Sequence, residues 1–158
     1  MSDPLIVHGP WASILRVLLP SPSIVAESSF KDNIISVTSL YGGTVNLFNV
    51  HLKNLGIEVS FVEPDASEEE ILSLAKENTK AIITTHASNV CGTIIPIEEI
   101  GALCKEKGLV YAVDTAQTAG ILNIDMQKAN IDFLAFTGHK GLLGPQGIGG
   151  FISSDKLE

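Results

Sequence analysis

The sequence predicts an α/β fold: a three-layer αβα sandwich around a mostly parallel sheet whose last strand runs antiparallel. From residue 32 onward, short β-branched apolar runs alternate with segments of helical periodicity, the pattern of βαβ units. The strand segments are apolar nearly throughout, as strands covered on both faces are. The last connection, 138–146, is too short for a helical crossover, so the strand after it returns antiparallel.

The elements follow in order. NIISV (33–37) is a β-branched apolar strand. TVNLFNVHLKNLG (44–56) has apolar residues at helical spacing and stops at Gly56. IEVSFVE (57–63) is a strand. SEEEILSLAKEN (67–78) opens with Ser67 as N-cap and Glu70 three residues later, a capping box. KAIITTH (80–86) is a strand. PIEEIGALCKEKG (96–108) has Pro96 in its first turn, acids early, lysines late and Gly108 as its stop, as caps and macrodipole favour. LVYAVD (109–114) is a strand, and QTAGILNIDMQKAN (117–130) reads as a turn and a short helix. IDFLAFT (131–137) and GIGGFIS (147–153) are the last strands.

The chain has 158 residues, which suits one domain, with residues 31–158 as its core. Residues 1–30 read as an irregular N-terminal segment. Their apolar stretch, LIVHGPWASILRVLLPSPSIVA, follows Asp3 with no basic run, unlike a signal peptide. Pro10, Pro20 and Pro22 break it short of the roughly 20 residues a spanning helix needs. A net charge of −8 and dispersed basic residues argue against nucleic-acid binding. A mean hydropathy of +0.30 points to covered strands or to surface meant for a partner. Two thiols, Cys91 and Cys104, form neither a disulfide framework nor a metal motif, and a reducing, cytoplasmic setting is expected. Cys104 belongs to a helix and reads as core; Cys91 sits in a loop.

Ligands of open α/β sheets bind beyond the carboxyl ends of the strands. Here those ends carry Ser39-Leu40-Tyr41-Gly42-Gly43-Thr44, Thr85-His86-Ala87-Ser88-Asn89, Asp114-Thr115-Ala116-Gln117 and Thr137-Gly138-His139-Lys140. The strand ending at Glu63 has nothing distinctive and suits a sheet edge. Each group has a plainer reading. Asp114 suits an N-cap. His86 suits a structural histidine, Tyr41 a turn aromatic, and Lys140 and His139 ordinary loop positions. One ligand explains them together. Pyridoxal 5′-phosphate (PLP) needs a lysine amine for its aldehyde, a carboxylate for its ring nitrogen, a stacking ring and donors for its phosphate. A nicotinamide-binding reading rests on GPQGIGG, which precedes a strand instead of opening a helix after one. A serine triad lacks a G-x-S-x-G elbow.

Residues 85–151, with their Asp114-Thr115-Ala116-Gln117 and TGHKGLLGPQG segments, closely resemble the class V aminotransferase family. These are fold-type I PLP enzymes that include cysteine desulfurases and selenocysteine lyases. The resemblance implies the large-domain core of that fold, without the small C-terminal domain. It implies Lys140 as the Schiff-base lysine and catalytic base, and Asp114 as partner of the ring nitrogen. Ala116 would pack on the ring, Gln117 would bond its phenolic oxygen, and Thr137 and His139 would hold the phosphate. Asn89 would reach the phenolic oxygen or the substrate carboxylate. It further implies chemistry at the α-carbon of an amino acid substrate, by desulfuration or β-elimination, and a homodimer. Residues 31–63 resemble instead the cystathionine/methionine γ-lyase and O-acetylhomoserine sulfhydrylase family. There the tyrosine of SLYGGT stacks on the cofactor, a role that would fall to Tyr41, where class V enzymes usually have a histidine. The chain thus reads as a mosaic, a designed chimera or a natural variant. Family members are longer, and the expected phosphate-cradling first turn has no counterpart in residues 1–30. The only arginine is Arg16, outside the resembling region, so little or no turnover is expected of the chain alone. A non-catalytic α/β fragment is the alternative.

Overall fold

A computed structural model of the chain describes residues 32–40 and 42–157. The expected N-terminal segment 1–30 and Tyr41 lie outside the described residues. Strand β1 (Asn33–Val37) leads into helix α1 (Gly42–Asn46), which widens into a π-helical turn over Leu47–Leu52. Then come β2 (Glu58–Val62), α2 (Glu68–Leu74), β3 (Thr79–Thr85), α3 (Ile97–Lys107), β4 (Val110–Asp114), β5 (Phe133–Thr137) and β6 (Gly149–Ser153). A 3-10 turn, Asp155–Leu157, ends the description.

The strands form one six-stranded sheet in the order β2-β1-β3-β4-β5-β6. β1 to β5 pair in parallel, and β6 runs antiparallel to β5, from Phe133 opposite Ser153 to Thr137 opposite Gly149. The α/β architecture and its reversed last strand are therefore as the sequence predicts. β2, whose end carries no distinctive residues, is indeed an edge strand. The chain steps from β1 outward to β2 and then back past β1 to β3. Right-handed crossovers then put α1 on one face and α2 and α3 on the other. The core runs along the middle strands, where Ile35, Ile83, Tyr111 and Val113 are fully buried. Burying a side chain such as Ile83 or Val113 contributes about 1.5–3 kcal/mol.

Helix boundaries follow local chemistry. α2 has the expected capping box: Glu70 N–H donates to Ser67 Oγ at 3.3 Å and Ser67 N–H to Glu70 Oε2 at 2.8 Å. It ends at Leu74, before the expected 78. Lys76 N–H is taken by the Thr79 hydroxyl at 2.8 Å, and Asn78 O by Asn33 N–H at 3.0 Å, which draws the chain into the sheet. α3 ends as expected on Gly108, at φ 67°, in the left-handed region glycine favours. The segment 117–130 forms turns and no helix. Asp125 Oδ1 accepts from Gln127 and Lys128 N–H, both at 3.0 Å, and Asn130 turns left-handed at φ 48°. Ile131 N–H then closes on Met126 O at 2.9 Å. Among the described residues no helix is long and apolar enough to cross a membrane.

Candidate functional site at the carboxyl edge

Because β1 to β5 are parallel, their carboxyl ends share one edge of the sheet. β4 delivers Asp114 there. The chain turns at once: Thr115 is pinned to Ala135 O through both its N–H and its hydroxyl, each at 2.8 Å. Asp114 Oδ1 accepts from Ala116 N–H at 2.8 Å, a self-made turn, and Oδ2 has no partner among the described residues. Burial holds the carboxyl above the usual carboxylate range, while the Ala116 N–H and the charge of Lys140 pull the other way. Ala116 and Gln117 are half-buried in this turn.

β5 delivers the second cluster. The Thr137 hydroxyl lies 2.9 Å from His139 Nδ1. Gly138 N–H donates to Ile148 O and Gly144 N–H to Gly138 O, both at 2.7 Å, so the loop is closed on itself. Lys140 is exposed and its Nζ makes no hydrogen bond or ion pair among the described residues. The two loops interlock. A Cβ on Gly141 would lie 2.5 Å from Ala119 O, and one on Gly120 would lie 2.8 Å from Gly141 O. Side chains at either position would push the loops apart, so the two glycines set Lys140 against the Asp114 turn. Leu143, just beyond, is strained into the left-handed region at φ 56°.

β3 is followed by His86, then by a tight loop closed by an Ala87–Ile94 bridge. Asn89 is exposed on this loop, and its side chain makes no hydrogen bond among the described residues. Cys91 is also exposed there; hydrogen bonds from Ser88 and Thr93 bring its thiol down to about 7. Cys104 is core as expected, its thiol pushed up to about 12 by burial. From β1, the Ser39 hydroxyl lies 3.4 Å from that of Thr85, across the gap where the chain reverses direction.

The edge thus carries Asp114, Ala116, Gln117, Thr137, His139 and Lys140 on two interlocked loops, and Asn89 on the loop after β3. Among the described residues, Asp114 Oδ2, Lys140 Nζ and the Gln117 amide keep unused hydrogen-bonding capacity. Such a set suits a flat ring with a donor nitrogen, an electrophilic carbon and an anionic substituent. Three contributors were not assigned from the sequence: Thr118, which meets His86, and the glycine pair 120 and 141. The first carries a weak signal, a hydroxyl one turn after Asp114. The glycine contact joins segments distant in sequence and leaves none.

Comparison with known proteins agrees with this picture. The aminotransferase class-V family profile matches residues 25–158. A probable cysteine desulfurase of Pyrococcus abyssi is 38% identical over 130 residues, covering 78% of this chain and 32% of that protein. The structure of SspA in complex with cysteine superposes with a TM-score of 0.74 at 30% identity, over 79% of this chain and 37% of that one. An O-acetylhomoserine sulfhydrylase of Wolinella succinogenes gives 0.61 at 26% identity, over 66% and 30%, in keeping with the second resemblance of the sequence. The chain spans about a third of the length of the curated relative it matches. On these matches and on the sheet, with its polar carboxyl edge, the chain belongs to the aminotransferase class-V family.

Proposed function

We propose that the chain is the cofactor-holding core of a PLP-dependent, cysteine desulfurase-like enzyme, with Lys140 as the lysine that carries the cofactor. The observation that carries this reading is the half-buried carboxyl of Asp114, one oxygen uncommitted among the described residues, within electrostatic reach of Lys140 at the carboxyl edge of the sheet. PLP, when bound, supplies an electron sink for chemistry at an amino acid's α-carbon. Asp114 Oδ2 would accept a hydrogen bond from the protonated ring nitrogen, and its negative charge would hold the proton on that nitrogen. Ala116 offers a small face on which a ring can lie, and the Gln117 amide a donor for a ring oxygen. Thr137 and His139 would donate to the phosphate. Lys140 Nζ would hold the cofactor through its aldehyde, and as a free amine it would be placed to take up a proton from the substrate's α-carbon. Asn89 would reach the phenolic oxygen or the substrate carboxylate.

No arginine lies among the described residues to grip a substrate carboxylate, Arg16 being the only one in the sequence. Little turnover is therefore expected of the chain alone, which favours a binding core as the second reading. Exposed Val90, Ile94, Ile121, Leu142 and Leu143 rim the same edge and support self-association. Its two free thiols fit a reducing, cytoplasmic setting.

Adding PLP should produce a visible absorption band that Lys140→Ala abolishes. A band that survives that substitution contradicts the proposal. Incubating the loaded chain with cysteine then separates the two readings: alanine and sulfide mark an enzyme, an unchanged amino acid a binding core.

A further inference from the structure

His86 follows directly on β3 and is 6% exposed. Its backbone is fully used. The N–H donates to Asp114 O at 2.8 Å, and the carbonyl accepts from Ile95 N–H at 2.9 Å. Its ring is used too, since Nδ1 lies 2.9 Å from the hydroxyl of Thr118, itself 3% exposed. Thr118 closes the turn that carries Ala116 and Gln117. Its N–H donates to Thr115 O, and its carbonyl accepts from Ile121 and Leu122 N–H, all at 2.9 Å. One residue therefore grips the Asp114 turn at both ends, by backbone at Asp114 and by side chain at Thr118. Packing alone would be served as well by an apolar side chain, with no buried polar pair to satisfy. Burial lowers the imidazole's pKa, so the ring is neutral and Nδ1 can accept from or donate to Thr118; either keeps the link.

We propose, resting on the cofactor reading above, that His86 and Thr118 are positioning residues whose hydrogen bond fixes the 114–118 turn before the cofactor arrives. Asp114 Oδ2, Ala116 and Gln117 then meet the ring in one arrangement, and binding need not order them. Neither side chain touches the reacting atoms; both act through the turn.

Two measurements on the 158-residue chain test this. In PLP titrations, Thr118→Val should weaken uptake about tenfold, the size of one lost buried hydrogen bond, and Thr118→Ser should return it to within about twofold. His86→Asn, whose amide reaches the place of Nδ1, should retain more affinity than His86→Leu. In the cofactor-free chain, backbone amide exchange in Thr118→Val should quicken across residues 114–119 and stay unchanged in the central strands. Wild-type affinity in Thr118→Val, or exchange that is unchanged at the turn or faster everywhere, overturns the proposal. If the wild-type chain takes up no PLP, the cofactor reading fails, and the exchange result decides the His86–Thr118 pair by itself.

Discussion

The two edges of the sheet are built from the same kinds of residue and put them to opposite use. At the amino edge every prominent polar group is consumed by another. Buried Asn33 donates to Ser60 Oγ at 3.0 Å and accepts from the Thr79 hydroxyl at 2.8 Å. Asp132 accepts from Tyr111 N–H at 3.0 Å, Lys156 Nζ at 2.9 Å and the Ser154 hydroxyl at 3.2 Å. Lys156 Nζ also donates to Leu109 O at 2.8 Å. At the carboxyl edge, among the described residues, Asp114 keeps an open oxygen, Lys140 an open amine and Gln117 an open amide. The amino edge also has a cleft of about 670 Å³, bordered by Lys105, Asp132 and Lys156. What marks the carboxyl edge is unspent hydrogen-bonding capacity held in place by spent capacity.

Substitutions at matched positions sharpen this contrast. The largest effect on stability is expected from Asp132→Ala, which removes the acceptor of the buried Tyr111 N–H and of the Ser154 hydroxyl. A loss of about 2–4 kcal/mol should appear in denaturant unfolding. PLP affinity, measured where the variant is folded, should stay that of wild type. A fall in affinity would mean the edges are not separate. Gly141→Ala comes next. Its methyl meets Ala119 O, so the loops must part, at an expected cost of about 1–3 kcal/mol, with PLP uptake weakened in step.

Asp114→Asn should have the smallest effect on stability and the opposite sign. Burial raises the Asp114 pKa above its unfolded value, so the folded chain holds that proton more tightly. Its contribution to stability is complete below the unfolded pKa and is lost as pH rises through the folded one. Asparagine still accepts from Ala116 N–H without the buried charge. The variant should therefore melt slightly higher than wild type at neutral pH, with the gap closing in acid. Its bound PLP should lose the spectrum of a protonated ring. A lower melting temperature at neutral pH would show that Asp114 has a structural partner.

What was legible in the sequence was mostly local. The capping box at Ser67, the Pro96-to-Gly108 span of α3 and the reversal before β6 depend on neighbours in the chain. So does the placing of β2 at an edge, which followed from its featureless end at Glu63. The early end of α2 was not legible, because it depends on Asn33 and Thr79 being brought together by the sheet. For the same reason the interlock of Gly120 with Gly141 and the bond from His86 to Thr118 were invisible. The carboxyl-edge cluster was readable because parallel strands put their ends together whatever their order. Which of its members meet was not. Asn89, grouped with the others by position, is exposed on the loop after β3, and Tyr41 lies outside the described residues.

The central claim is that Lys140 is the amine this edge is built to present. Borohydride reduction of the PLP-treated chain, followed by peptide mass mapping, tests it most directly. A single pyridoxyl group on Lys140 is expected, absent when Asp114 and Gly141 are both replaced. Label spread over surface lysines such as Lys53, Lys80 and Lys105, or none at all, would contradict it.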